Sequence, residues 1–444
     1  MFRFITFASM CLLYITQELI SNEVLNTIYI LLCILAFLLA FQMLSKKNRL
    51  FTGFLFVTGI IINVIYGSQW LGLFDGITQN IALLAIILLA PLISLPLEGE
   101  GVINSVISKL NEFKNDERKT FYGVSSFMVI VAPILNMGGI RIVHGFVSRL
   151  KIESKLLSRA YFGGFTQAIV WSPFFASVGI VISIAEMPYI TYMPIGVFFS
   201  VLMFMTAIFL LRPAKSETAA ALEALQAETE ASKRDFALLI SLVLFLVGLL
   251  IALELITKLP MLLLVSINCL LIPLLWTLIR NKWGWMKEQI KIYKVQMNTN
   301  SNMEIALFLS AGLFGNALLH TPITSGLGNA LFWASQWSVL LVFLFVVTFV
   351  TMMAFLGIHQ IIAVPIIFPL LLVPEVDVNL FAAAFMCIFS WMFSSSLSPL
   401  NALNIIISSC VHANGIRVGF FWNGKYFLTI FILGFAYVFF LNLL

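Results

Sequence analysis

Apolar stretches long enough to cross a bilayer recur along the chain. They lie near residues 4–20, 24–44, 50–68, 79–96, 158–185, 189–211, 236–257, 259–279, 303–319, 380–409 and 426–443. A bilayer core is spanned by about 20 apolar residues of helix, so each stretch reads as a crossing. Two further apolar segments, 121–149 and 336–373, have odd lengths and polar centres and predict hairpins that enter and leave on one side. Two of the spans are interrupted, by Ser172-Pro173 and by Ser398-Pro399. Proline removes a backbone donor and clashes with the preceding turn, whereas Ser followed by Pro suits a helix start. Each interrupted span therefore predicts two half-helices with a fresh N-terminus near the bilayer midplane.

The interruptions are 226 residues apart, and at that spacing Ser172/Ser398, Pro173/Pro399, Ala176/Ala402, Ile180/Ile406 and Ser183/Ser409 coincide. The order of elements recurs with them. After an extra span within 1–23, residues 24–212 give three spans, a hairpin, a broken span and a span, and 236–444 give the same order. Each unit crosses five times, an odd number, so the second copy must be inverted. The fold class expected is an all-α polytopic membrane protein of eleven spans and two re-entrant hairpins, built as two inverted repeats. Residues 213–235, rich in Ala and Glu, read as a cytoplasmic helical linker.

Composition agrees: 61% of residues are hydrophobic and 10% charged, which excludes an ordinary soluble domain. The net charge of +5 becomes informative through its placement. With the N-terminus cytoplasmic and the C-terminus outside, the Lys and Arg residues fall on the inner side, apart from Lys258 outside and Arg141 within a hairpin. That is the positive-inside pattern of a plasma (inner) membrane protein. The first span reads as retained, although a removed signal peptide is the alternative. Residues 101–119 and 282–294 read as interfacial helices. Cys11, Cys33, Cys269, Cys387 and Cys410 lie in apolar spans without metal-ligand spacing and read as buried thiols.

Irregular backbone at membrane depth is tolerated only inside protein or beside a wet cavity, so candidate chemistry gathers at the tips and breaks. The first tip is expected at Asn136-Met137-Gly138-Gly139, the glycines permitting reversal, with Arg141 and His144 following. The second is expected at Gly357-Ile358-His359-Gln360. One break carries Thr166, Gln167 and Ser172, the other Ser394, Ser395, Ser396, Ser398, Asn401 and Asn404. A restarted half-helix offers N–H groups to an oxyanion. One that stops leaves carbonyls which, with Ser and Asn oxygens, suit Na⁺. Candidate substrate ligands are accordingly Asn136, Gly138, Gly139, Arg141, Ser172, His359, Gln360, Ser398 and Asn401. Candidate coupling-ion ligands are Thr166, Gln167, Ser394, Ser395, Ser396 and Asn404.

Arg141 has two open readings, a counter-charge for an anion or a side chain snorkelling to lipid phosphate. His144 and His359 read either as proton carriers or as neutral histidines bonded to backbone. The serines before Pro399 could instead join helices. No Asp or Glu falls in a hairpin or beside a break, which favours an anionic cargo over cation exchange. No phosphate loop, zinc signature or nucleophile elbow stands out, so no enzyme, no cofactor beyond Na⁺ and no nucleic-acid partner is expected.

Ser398-Pro399-Leu400-Asn401-Ala402 is similar to the Thr-Pro-Pro-Asn turn in the broken helix of divalent anion:sodium symporters. The layout resembles their ion transporter superfamily, with the arsenite and citrate permeases. Ser172-Pro173-Phe174-Phe175-Ala176 keeps Ser-Pro without the Asn, and neither tip carries that group's Ser-Asn-Thr. The resemblance implies a homodimer with a fixed scaffold and a moving domain, carrying a small organic anion with Na⁺ or H⁺ by an elevator motion. An uncoupled channel-like or lipid-handling protein on the same fold is the alternative, and an ion antiporter is disfavoured by the missing carboxylates.

Overall fold

Helices are the regular elements of the described residues, with no strand among them, as expected where no water is present to satisfy backbone groups. The computed structural model describes residues 2–66, 74–101, 117–147, 152–213, 230–319 and 321–444. The chain runs α1 (Phe2–Ile20), α2 (Glu23–Phe41), α3 (Lys46–Tyr66) and α4 (Ile81–Ile93), then α5 (Glu117–Leu135) and α6 (Met137–Val147) over the first expected hairpin. The first interrupted span forms α7 (Ser154–Trp171) and α8 (Ala176–Ile184), followed by α9 (Tyr189–Leu211). Next come α10 (Glu230–Thr257), α11 (Met261–Arg280), α12 (Trp283–Asn300), α13 (Asn302–Leu318) and α14 (Pro322–Trp337). α15 (Val339–Phe355) and α16 (Gln360–Leu371) cover the second expected hairpin. α17 (Leu380–Leu397), α18 (Ala402–Cys410) and α19 (Gly424–Leu441) complete the chain.

Ten segments among the described residues are long and apolar enough to cross a membrane, and α13 paired with α14 would make eleven. The molecule is an all-α, multi-pass membrane protein. Most of the expected linker, 214–229, and of the expected surface helix, 102–116, lies outside the described residues. α12 covers the second expected interfacial stretch; it is largely exposed and is pinned by the Tyr293 hydroxyl donating to the Leu88 carbonyl at 2.7 Å. α14 occupies a stretch for which the apolar pattern predicts no element. It is bent 75° from α13 and exposes Trp333 and Trp337. Its Ser, Gly and Gln residues dilute hydropathy below the level of a span, which is why pattern alone passes over it.

The two interrupted spans lie at the centre. They are 78% and 83% buried, against 17–33% for α1, α2, α3, α9, α10 and α19. A break exposes backbone groups that lipid cannot satisfy, so protein must surround it. The packing comes in matched pairs: α5 on α7 and α15 on α17, α8 on α16 and α18 on α6, α3 on α13 and α11 on α4. Close approach of α5 and α7 depends on Gly164, where a Cβ would lie 2.5 Å from the Ser125 carbonyl oxygen.

Candidate functional site

Both breaks have one construction. α7 stops at Trp171 and Ser172 turns extended (φ −72°, ψ 132°), and α17 stops at Leu397 with Ser398 likewise extended (φ −68°, ψ 122°). Proline forces this on the residue before it. The restart differs from expectation. Ser-Pro ends the first half-helix, and the second begins three residues further on, behind Phe175 and Asn401. Asn401 Oδ1 caps α18 by accepting from Leu403 N at 3.2 Å, whereas Phe175 supplies no side-chain cap to α8.

The two serines tie each break to a helical turn of its own half. Ser172 Oγ donates to the Pro133 carbonyl at 3.1 Å and accepts from Phe174 N at 3.3 Å. Ser398 Oγ donates to the Ala354 carbonyl at 2.8 Å and accepts from Leu400 N at 3.3 Å. Pro133 and Ala354 each precede by three residues a left-handed residue, Asn136 (φ 50°) or Gly357 (φ 86°), at the junction between one helix and the next. At the first of these junctions the glycines do not supply the left-handed residue. Asn136 takes the left-handed conformation, its Oδ1 accepting from Met137 N at 2.8 Å, and Gly138 and Gly139 are already inside α6. Asn is the residue other than Gly that visits this region most readily. His359 caps α16, its Nδ1 accepting from Ile361 N at 3.2 Å, with its ring 5.8 Å from that of Trp391.

The breaks part company in how their carbonyls are used. Pro173 cannot donate to the Ile169 carbonyl, and Ser177 Oγ takes that place. Ser200 Oγ donates to the Gln167 carbonyl at 3.1 Å, Tyr192 to Val170 at 3.0 Å and Tyr189 to Trp171 at 2.9 Å. Thr166 Oγ1 donates to the Phe162 carbonyl at 2.8 Å, and Gln167 Nε2 to that of Gly163. Gln167 Oε1 stays buried without a hydrogen bond.

At the second break Pro399 leaves the Ser395 carbonyl without its donor. The N–H groups of Ser398 and Leu400 go elsewhere, to the Ser394 carbonyl and to Ser398 Oγ. The position matching Ser177 is Leu403, which has no hydroxyl. Ser395, 4% exposed, thus presents a bare carbonyl in the interior.

Around it lies a polar knot. Gln360, fully buried, donates through Nε2 to Ser394 Oγ at 2.8 Å and accepts at Oε1 from Asn401 Nδ2 at 2.8 Å. Ser396 Oγ donates to the Met392 carbonyl at 2.8 Å. Asn404 Nδ2 donates to the carbonyls of Ser396 at 2.9 Å and Gly415 at 3.2 Å, while its Oδ1 accepts from Ser408 at 2.9 Å. Asn404 is therefore fully engaged in holding the break to the loop after α18.

The structure thus gathers Gln360, Ser394, Ser395, Ser396, Ser398, Asn401 and Asn404 into one cluster. Thr166, Gln167 and Ser172 stay at the first break, Asn136 lies at the junction of α5 and α6, and Gly138, Gly139 and Arg141 lie in α6. Arg141 is exposed on α6 and sits within electrostatic reach of Glu304 at the start of α13. Glu304 Oε2 is buried without a hydrogen bond. His144 Nδ1 lies 3.0 Å from the Tyr161 hydroxyl. Sequence reasoning missed the hydroxyls of Ser177, Tyr189, Tyr192 and Ser200. The last three share the buried face of α9, a signal visible only once that face is known. No protein-family model matches the chain, and no curated protein matches it in sequence.

Proposed function

We propose that this protein is a secondary active transporter of a small organic anion, coupled to Na⁺ or H⁺, working by alternating access of an elevator type. The observation that carries the reading is the duplicated break. Two central, buried spans stop at Ser-Pro, and each serine bonds a carbonyl three residues before a left-handed residue. Broken helices at corresponding positions of two halves are the mark of a transporter's binding site. The matched packing of the two halves supports two inverted repeats with re-entrant hairpins, as does the placement of Lys and Arg.

The asymmetry of the breaks favours different tasks. At the first, hydroxyls occupy the carbonyls and the N-terminus of α8 has no side-chain cap, which suits an oxyanion. At the second, the Ser395 carbonyl with the oxygens of Ser394, Ser396 and Asn401 suits a cation, Na⁺ first. Arg141 supplies positive charge on α6, which packs against α18. The resemblance to the divalent anion:sodium symporters, in layout and in the Ser398-Pro399-Leu400-Asn401-Ala402 turn, supports the same assignment, with a homodimer as the working assembly in the plasma membrane.

Uptake of small carboxylates into proteoliposomes, with and without an imposed Na⁺ or proton gradient, tests the reading. Gradient-dependent accumulation is expected, lost in Arg141→Gln. Flux indifferent to both gradients would overturn coupling and leave an uncoupled pathway.

A further inference from the structure

The loop between α18 and α19 is pinned at both ends, and between them Val418 and Gly419 are buried while Arg417, Phe420 and Phe421 are exposed. The Gly415 carbonyl accepts from Asn404 Nδ2 at 3.2 Å, and Asn423 Nδ2 donates to Ser158 Oγ at 2.9 Å and to the Val418 carbonyl at 2.9 Å. Between these anchors Arg417–Trp422 forms a π-helical turn, a wide geometry frequent at functional sites. An open depression of about 580 Å³ lies here, lined by Asn414, Ile416, Arg417, Phe421 and Trp422. The Arg417 guanidinium rests 5.3 Å from the centre of the Trp422 ring. It is exposed and makes no ion pair among the described residues.

Charge on this part of the molecule is one-sided. From 378 to 444 the sequence contains no Asp or Glu, and its cations, Arg417 and Lys425, flank the turn. Arg159 adds a third by donating to the Trp422 carbonyl at 3.3 Å; the carboxylate it senses is Glu153, at the start of α7. The rim of the depression is apolar and outward, with Phe421 78% and Ile416 47% exposed. A soluble anion would gain nothing from that rim. A phosphate carrying acyl chains would use both parts, its oxygens on the planar donor fork of Arg417 and its chains along Ile416 and Phe421. Aromatic and basic side chains together mark the level where headgroups lie.

We propose that the Arg417–Trp422 turn is a binding site for the headgroup of an anionic phospholipid. The proposal rests on membrane embedding and not on transport. The occupied turn bears on both broken spans, through Gly415 on Asn404 and through Asn423 on Ser158, so the lipid braces the cluster at the second break.

The test uses the full chain, delipidated in detergent, with its unfolding midpoint measured on adding phosphatidylglycerol, phosphatidylcholine or inorganic phosphate. Phosphatidylglycerol is expected to raise the midpoint by several degrees, with little response to the other two. Arg417→Gln should remove at least half of that rise. Phe421→Ser, at a position too exposed to disturb folding, should weaken it even if Arg417→Gln folds poorly. Equal stabilisation by phosphatidylcholine, an equal effect of phosphate alone, or a full response in both variants would each overturn the proposal. So would a change of oligomeric state in Phe421→Ser without lipid preference, since the patch would then belong to a second copy.

Discussion

Ser177 and Leu403 decide what the two breaks can do, although neither lies in a motif. Ser177 Oγ fills the Ile169 carbonyl that Pro173 cannot serve, and Leu403 leaves the Ser395 carbonyl open. Ser177→Ala is therefore expected to destabilise the protein by about 1–3 kcal/mol, the cost of a buried acceptor without a partner, seen as a lower unfolding midpoint. Gln360→Ala leaves the Asn401 amide without its acceptor, while Ser394 keeps its bond to the Trp391 carbonyl, and should cost a similar amount while abolishing uptake in proteoliposomes. Unchanged uptake would remove the polar knot from the transport site. Polar residues in apolar surroundings made Ser172, Ser398, Gln360 and Asn401 legible in the sequence. Their partners were not, because Pro133 and Ala354 act through backbone oxygens that carry no side-chain signature.

At the scale of elements, the prolines differ in consequence although they match in position. Pro399→Ala restores an N–H that can reach the Ser395 carbonyl, letting α17 run further and closing the candidate cation site. It is expected to lose Na⁺-dependent uptake or Na⁺-dependent thermal stabilisation. Pro173→Ala should leave the Na⁺ response intact, since Ser177 already occupies the corresponding carbonyl. Equal effects of the two would dismiss the asymmetry. Gly164→Ala tests the contact between α5 and α7: a Cβ 2.5 Å from the Ser125 oxygen forces the helices apart, and the midpoint should fall as for an overpacked core, by about 1–3 kcal/mol. The existence of the broken spans followed from proline chemistry. Where the second halves restart did not, because residues 173–175 and 399–401 are shaped by what packs around them.

Among the described residues, exposed apolar helices surround the two interrupted spans and the span containing α4, which is 83% buried. Its orientation is testable with single cysteines at Lys258 and Asn281, the turns at the two ends of α11. An impermeant maleimide should label position 258 from outside and 281 only after the cytoplasmic face is opened. Labelling of both from one side would reject the topology that the Lys and Arg residues predict. Burial at this scale sorts elements of similar hydropathy. α3 and the α7–α8 span both have hydropathy 1.7, yet the first is 17% buried and the second 78%.

The sequence by itself determined that the chain lives in a membrane, roughly how many times it crosses, and that two crossings break at Ser-Pro. Those properties follow from local composition and from the geometry of proline, which act within a few residues. Tertiary structure alone decided which helices are enclosed by others, that Asn136 and not the glycines is the left-handed residue between α5 and α6, and which carbonyls remain open. The last depends on donors distant in sequence. The carbonyls of Gln167, Val170 and Trp171 are closed by hydroxyls 18 to 33 residues away, while that of Ser395 meets no such side chain.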